Sequence, residues 1–333
     1  MTPGVEAILG VIFIFIYLMS KINVGGQALI EGVMIRAPER YSCACRKATG
    51  EIVVKNYDYI PVSKRKKLLN LPVVRGFIGL FEMLAIGIKS LNFSAEVASE
   101  DVKSKKKEPA KWQKSLMSAL SFVLALAIAI SVFFYLPLFI STLLQLKTHP
   151  FWFNIVTGII RVSMFILYIW FLSFFKDFKR LFQYHGAEHM SIYAFENGEE
   201  LTLENIKKYS TLHPRCGTSF LFLFLILAIL IYSISDSLYF LVAQNAPVLA
   251  KRFLYHLILL PIVAGISYEI LKLSSKTKEN FFTKILIAPG LWLQKITTQR
   301  PTEDQIEVAV AALENAVGLK NVTPDIEKSL KFE

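Results

Sequence analysis

The chain has 333 residues, is 54% hydrophobic with 26 Phe and 13 Tyr, and has a mean hydropathy of +0.47. That is too apolar for an ordinary soluble domain, whose apolar share is about 45–50%. Its +11 formal charge is carried by clustered Lys and Arg, which fits loop charge around membrane spans, and no specific nucleic-acid recognition is expected. Three cysteines, Cys43, Cys45 and Cys216, exclude a disulfide framework.

In chain order, residues 1–22 form an N-terminal hydrophobic segment. Its run "VEAILGVIFIFIYLM" at 5–19 carries Glu6 and reads either as an extra span or as a signal-like segment without a cleavage site. Residues 23–60 form a β-rich module: 27–57 alternates, uses β-formers and has turn signals at "AP" and "ATG", which predicts a small three-stranded sheet. Residues 61–114 combine a basic linker with a helix over 68–98, interrupted by Gly76, Gly79 and Gly87. Its scattered charges suit the membrane interface better than a crossing.

Two hydrophobic hairpins follow, at 115–175 and 217–271. Their four segments, roughly 115–146, 150–175, 217–243 and 253–271, are each long enough to cross about 30 Å of hydrocarbon. Between them lies 176–216, and 272–333 forms a tail in which "TEDQIEVAVAALENAV" predicts a capped amphipathic helix docked on the soluble module. The fold class is thus an α-helical integral membrane protein with four transmembrane helices, five if 5–19 also crosses, plus a cytoplasmic β-rich module and amphipathic helices. "KRKK" at 64–67, "KSKKK" at 103–107 and "KDFKR" at 176–180 put 21–114, 176–216 and 272–333 on the cytoplasmic side of a multi-pass protein of the cell membrane.

The third of these segments carries the chemistry. "YHGAEHMSIY" at 184–193 contains H-x-x-E-H. Positions i and i+4 of a helix differ by about 40° around the axis, so His185 and His189 share a face. Two imidazoles one turn apart can chelate a divalent metal, Zn²⁺ above all, and Glu188 in the same arc can act as general base, as in inverted zincins. Gly186 costs about 1 kcal/mol against Ala inside a helix, which a close backbone approach would explain.

"LHPRCGTSF" at 212–220 brings His213, Arg215 and Cys216 to the same membrane face, and "GISYEILKL" at 265–273 brings Glu269. His213 is expected as the third metal ligand. Glu269, Cys216 and Arg215 are expected to complete or orient the shell, with Glu31 and Arg36 as supports from the β-rich module. Cys216, beside Arg215 and a helix N-terminus, reads as a soft ligand, a nucleophile or, as is commonest for a lone Cys, a buried reduced thiol. Cys43 and Cys45 read as strand packing, His149 and His256 as structural groups near the other face, and Asp236 as topological.

Five ordered stretches, "GGQALIEGVMIR" (25–36), "HGAEH" (185–189), "HPRCGTSF" (213–220), "GISYE" (265–269) and "APGLWLQKITTQRPTEDQIEVAVAAL" (288–313), resemble the YqhQ-like family. This is a bacterial multi-span membrane domain of unknown function whose members are described as predicted metal-dependent enzymes. The resemblance runs over about 23–313 and leaves residues 1–20 outside. It implies that His185, Glu188, His189, His213 and Cys216 stand at motif positions.

Three functions compete. The first is a zinc-dependent membrane hydrolase at the cytosolic face, acting on lipids, lipid-linked precursors or membrane peptides. The second is a non-catalytic membrane factor with a structural metal, whose basic face binds a ribosome, a translocon or anionic lipid. The third is a transporter, disfavoured because the polar groups gather at one face rather than the midplane.

Overall fold

The alternation over 25–58 folds into four strands, β1 (Gly25–Leu29), β2 (Gly32–Arg36), β3 (Arg40–Arg46) and β4 (Ile52–Asp58). They form an antiparallel meander in the order β1-β2-β3-β4. The three-stranded expectation is therefore corrected to four. The fourth strand is hidden because "QALIEGVMIR" reads as one run. Leu29 pairs with Gly32, so the chain reverses at Ile30–Glu31, with Glu31 at φ 52°. Nothing like Asn-Gly marks this turn, and a non-glycine residue in the left-handed region is uncommon.

The structure is a computed structural model that describes residues 22–99, 111–144, 149–274 and 281–319. The apolar run at 5–19 and the basic run at 103–107 lie outside the described residues. Nine helices matter for the site. Helix α1 is Val74–Ser99. Helix α2 runs over Lys111–Ile130, passes through a π turn at Ser131–Tyr135 and continues over Leu136–Leu143. Then come α3 (Pro150–Leu172), α4 (Lys176–Glu196), α5 (Leu203–Lys207), α6 (Gly217–Ala243), α7 (Leu249–Ser274), α8 (Phe281–Thr297) and α9 (Glu303–Val317).

The π turn has a local cause. Pro137 has no N–H to offer the carbonyl of Phe133 one turn earlier, so the ladder widens there. The freed Phe133 oxygen accepts from Arg161 Nε on α3 at 3.0 Å.

Among the described residues, four stretches are long and apolar enough to cross a membrane: Ala119–Leu143, Pro150–Leu172, Gly217–Ala243 and Leu249–Leu273. They coincide with the four hydrophobic segments of the sequence and are compatible with a multi-pass membrane protein. Helix α6 packs against both α3 and α7 around Phe134, Phe153, Ala228, Tyr232 and Val263. The tail contains a further helix, α8, which packs on α6. The Pro289–Gly290 pair, normally a breaker signal, conceals it in the sequence.

Both faces of the sheet are covered, which explains why β2 is buried along nearly its whole length. Val33, Ile35 and Ala44 pack with Ala187 and Met190 of α4 and with Ile306, Ala309 and Leu313 of α9. The opposite face places Leu29, Met34, Cys43 and Cys45 against Ile86 and Val97 of α1. Helix α9 starts on a capping box of Thr302 and Gln305, in line with the predicted amphipathic helix. Cys43 donates its thiol to Ser90 Oγ at 3.3 Å, and burial pushes the Cys45 thiol up to about 12. Both behave as packed, unreactive thiols.

Candidate metal centre

Helix α4 continues unbroken through Gly186, so His185 and His189 do share a face, with ring centroids 4.4 Å apart. Each ring is fixed through Nδ1. His185 Nδ1 lies 2.8 Å from the carbonyl oxygen of Thr297, and His189 Nδ1 contacts the carbonyl oxygen of Thr211. A carbonyl can only accept, so both Nδ1 atoms carry the proton and both Nε2 atoms present lone pairs. This outer hydrogen bond to a backbone carbonyl is the usual way of orienting an imidazole toward a metal.

The lone pairs converge with a thiol. Cys216 Sγ lies 3.2 Å from His185 Nε2, and ligand atoms of His185, His189 and Cys216 all fall within 4.8 Å of one another. Cys216 is the N-cap of α6, which places it at the N-terminal end of an apolar helix. Glu188 points the same way, its Oε2 standing 3.6 Å from His189 Nε2 and 3.9 Å from His185 Nε2. The Glu188 carboxylate accepts from the Gly26 amide of β1. Among the described residues its Oε2, like His189 Nε2, is buried without a hydrogen-bond partner. Burial pushes the Glu188 carboxyl up and the His189 imidazole down, and nearby His185 and His213 oppose the rise at Glu188.

Two glycines make these approaches. A Cβ on Gly26 would sit 2.4 Å from the Met34 carbonyl oxygen and 3.0 Å from Glu188 Oε1, so β1 could not press its amide onto the carboxylate. A Cβ on Gly186 would sit 2.1 Å from the Gln299 carbonyl oxygen. The extended chain after α8 crosses α4 at that point and is tied by Gln299 N–H to Phe182 O at 2.9 Å. Gly186→Ala is therefore expected to cost about 1–3 kcal/mol through overpacking against backbone. It should also move Thr297 away from His185. Thermal unfolding checks the first effect, and an unchanged midpoint would mean that this crossing is loose.

The remaining expected residues divide. His213 lies beside the pair, its ring 5.6 Å from that of His189, but its Nε2 faces Glu196 Oε2 at 3.4 Å. Arg215 pairs with the same carboxylate. Burial alone would raise the Glu196 carboxyl, yet His213 and Arg215 together hold it below the usual range. Glu269 is not brought to the cluster. It takes Arg75 Nε at 2.7 Å and Nη2 at 2.5 Å, docking the start of α1 on α7.

Glu31 binds α4 itself, through the Arg180 guanidinium and through Tyr184 Oη at 3.2 Å. Arg36 turns to the opposite side of the sheet, with Nη1 3.1 Å from Met83 Sδ and its guanidinium over the Tyr59 ring.

Sequence reasoning missed the groups that hold this shell in place. Gln294 of α8 clamps the loop before α6: its Oε1 accepts from His213 N–H at 2.7 Å and its Nε2 donates to His213 O at 2.9 Å. Thr297 and Thr211 act through backbone carbonyls, which leave no trace in side-chain chemistry. Gln294 and Thr297 do fall within "GLWLQKITTQR", one of the stretches that carried the resemblance.

Comparison with known proteins supplies a family and no reaction. A family described as "Protein of unknown function (DUF1385)" matches residues 71–319, which takes in α1 to α9 and every residue of the cluster. "Uncharacterized protein YqhQ" of Bacillus subtilis (strain 168) is 34% identical over 317 residues, covering 91% of this chain and 95% of its own length. No solved structure matches the chain. The match extends through the helices, the histidine pair and Cys216, and the chain belongs to the DUF1385 family of YqhQ-like proteins.

Proposed function

We propose that the protein is a zinc-dependent hydrolase working at the cytosolic boundary of the cell membrane. One observation carries this reading: two oriented imidazole lone pairs, a thiol and an unpartnered buried carboxylate oxygen face one another. A tetrahedral Zn²⁺ with bonds of about 2.0–2.3 Å sets its nitrogen and sulfur ligands about 3.3–3.6 Å apart. The His185 Nε2 to Cys216 Sγ distance of 3.2 Å is close to that range, and the ligand atoms of His185, His189 and Cys216 all lie within 4.8 Å of one another. His185 Nε2, His189 Nε2 and Cys216 Sγ would hold the ion. A bound zinc ion would supply Lewis acidity toward a carbonyl or phosphoryl oxygen and make water acidic at neutral pH.

Glu188 is the proton carrier. With Oε1 at the Gly26 amide, its Oε2 is free to take a proton from an attacking water and pass it to a leaving group. Burial supports this role by making the carboxylate more basic than an exposed one. The cluster lies at the N-terminal end of α6, so a lipid, a lipid-linked precursor or a membrane peptide is the substrate class that reaches it. The basic loops set the orientation: labels introduced at 183–213 should resist a membrane-impermeant thiol reagent applied from outside.

A second reading rests on the same distances. Glu188 is only 3% exposed and stands at ligand-edge separation from both imidazoles, so it could close a four-ligand structural site in a non-catalytic membrane factor. Glu188→Gln separates the two. In the hydrolase it keeps metal content near wild type and abolishes cellular function. Loss of metal together with function favours the structural site, and full metal with intact function rejects the hydrolase.

A further inference from the structure

The apolar helices enclose charges that the metal reading leaves unused. Asn154, Thr157 and Arg161 lie at helical spacing along α3, Tyr232 and Asp236 stand one turn apart on α6, and Arg252 and His256 one turn apart on α7; all are buried. Asp236 is the hub of this layer. Its Oδ2 pairs with Arg252 Nε at 2.7 Å and accepts from Asn154 Nδ2 at 2.7 Å, while its Oδ1 faces His256 Nε2 at 2.9 Å. His256 stacks on Tyr232 with centroids 4.1 Å apart. Both guanidiniums are near enough to act on the His256 ring electrostatically.

The charges do not balance. Among the described residues, Arg161 and Arg252 contribute two positive charges, Asp236 one negative, and a neutral His256 none, a net +1. Arg161 stands midway along α3 and is 6% exposed. Its Nε donates to the Phe133 carbonyl, and its Cζ lies 4.9 Å from the Phe134 ring centroid and 5.9 Å from that of Tyr232. A carbonyl and ring faces solvate a guanidinium without neutralising it. Among the described residues, Arg161 Nη2, Arg252 Nη2 and the Tyr232 and Tyr255 hydroxyls are buried with no hydrogen-bond partner. An uncompensated cation at this depth is expensive, and ionisable groups kept inside spans mark ion sites.

We propose that this layer binds one small monovalent anion of halide or nitrate size, held by Arg161 with the unpartnered Tyr232 hydroxyl as a second donor. The net charge sets the valence. Burial sets the size: Arg161 is enclosed by the Phe134 and Tyr232 rings between packed helices, which suits a small inorganic ion rather than an organic ligand. The mid-helix position of Arg161 excludes a lipid phosphate, because a headgroup does not reach the middle of a spanning helix. This site is independent of the histidine cluster.

The test uses the full chain purified in lipid nanodiscs, unfolded thermally in sodium chloride and in sodium gluconate at matched ionic strength. Chloride should raise the wild-type Tm by several degrees, as a ligand that binds only the folded state does. Arg161→Gln should abolish the difference, since it removes the excess charge, whereas Arg161→Lys should retain part of it. Should Arg161→Gln not fold, Arg161→Lys and the position of bromide in the wild type decide. Bromide density beside Arg161 supports the site. Equal Tm in the two salts, a chloride effect that persists in Arg161→Gln, or bromide found only elsewhere overturns it.

Discussion

Cys216→Ala should emerge from purification with little zinc, whereas His213→Ala should retain a substantial share. The contrast follows from where each side chain points. Cys216 Sγ is in contact with His185 Nε2, so its loss removes one of three donors to the proposed ion. The His213 imidazole is turned to Glu196, and its main chain is clamped by Gln294. Its loss loosens the wall behind His189 without removing a donor, and such outer partners are typically worth about 10–100-fold in metal affinity. His185→Ala and His189→Ala belong with Cys216→Ala. Elemental analysis of the four variants beside wild type reads the order directly. Zinc lost in His213→Ala but kept in Cys216→Ala would restore His213 as the third ligand and reject Cys216 in that place.

The difference between those two residues also marks how far the site was legible. Spacing within one helix is readable, because His185, Glu188 and His189 have an angular relation fixed by helix geometry wherever the helix ends up. Which residue of "HPRCG" would meet them was not, because that depends on the path of a loop. Cys216 reaches the pair by capping α6, and the turn from Thr211 to Cys216 swings His213 aside onto Glu196. Glu269 failed for a related reason. A carboxylate near a span end does need a partner, but the sequence offers many cations, and Arg75 took it because α1 lies along α7.

The apolar helices were the easiest features to read, since length and composition suffice. Helix α8 and strand β1 were the hardest. A Pro-Gly pair sits inside the helix, and an unmarked Ile-Glu turn ends the strand, so tertiary packing overrides local signals in both. Asp236, read as topological, is fully buried among ions.

Asp236→Ala is expected to destabilise the protein strongly, by about 3–5 kcal/mol, the usual consequence of removing one partner of a buried ion pair. The penalty arises from what is left behind. Arg252, His256 and Asn154 all use the Asp236 carboxylate, and Asn154 keeps a second acceptor in Pro150 O at 2.9 Å. Arg252 and His256 are therefore the groups left stranded. The three partners and Asp236 sit on three different helices, so the loss acts on the junction of α3, α6 and α7 as a whole. Unfolding in sodium gluconate, where no halide offsets the added positive charge, should show a large drop in Tm and in purified yield. Replacing Asp236 and Arg252 together by leucine should recover much of the loss, since an apolar pair leaves fewer stranded charges than a broken ion pair. If Asp236→Ala unfolds at the wild-type temperature, water reaches this layer and the guanidiniums are solvated without the carboxylate. If the double variant is no better than Asp236→Ala, the cost lies in the stranded His256 rather than in the guanidinium.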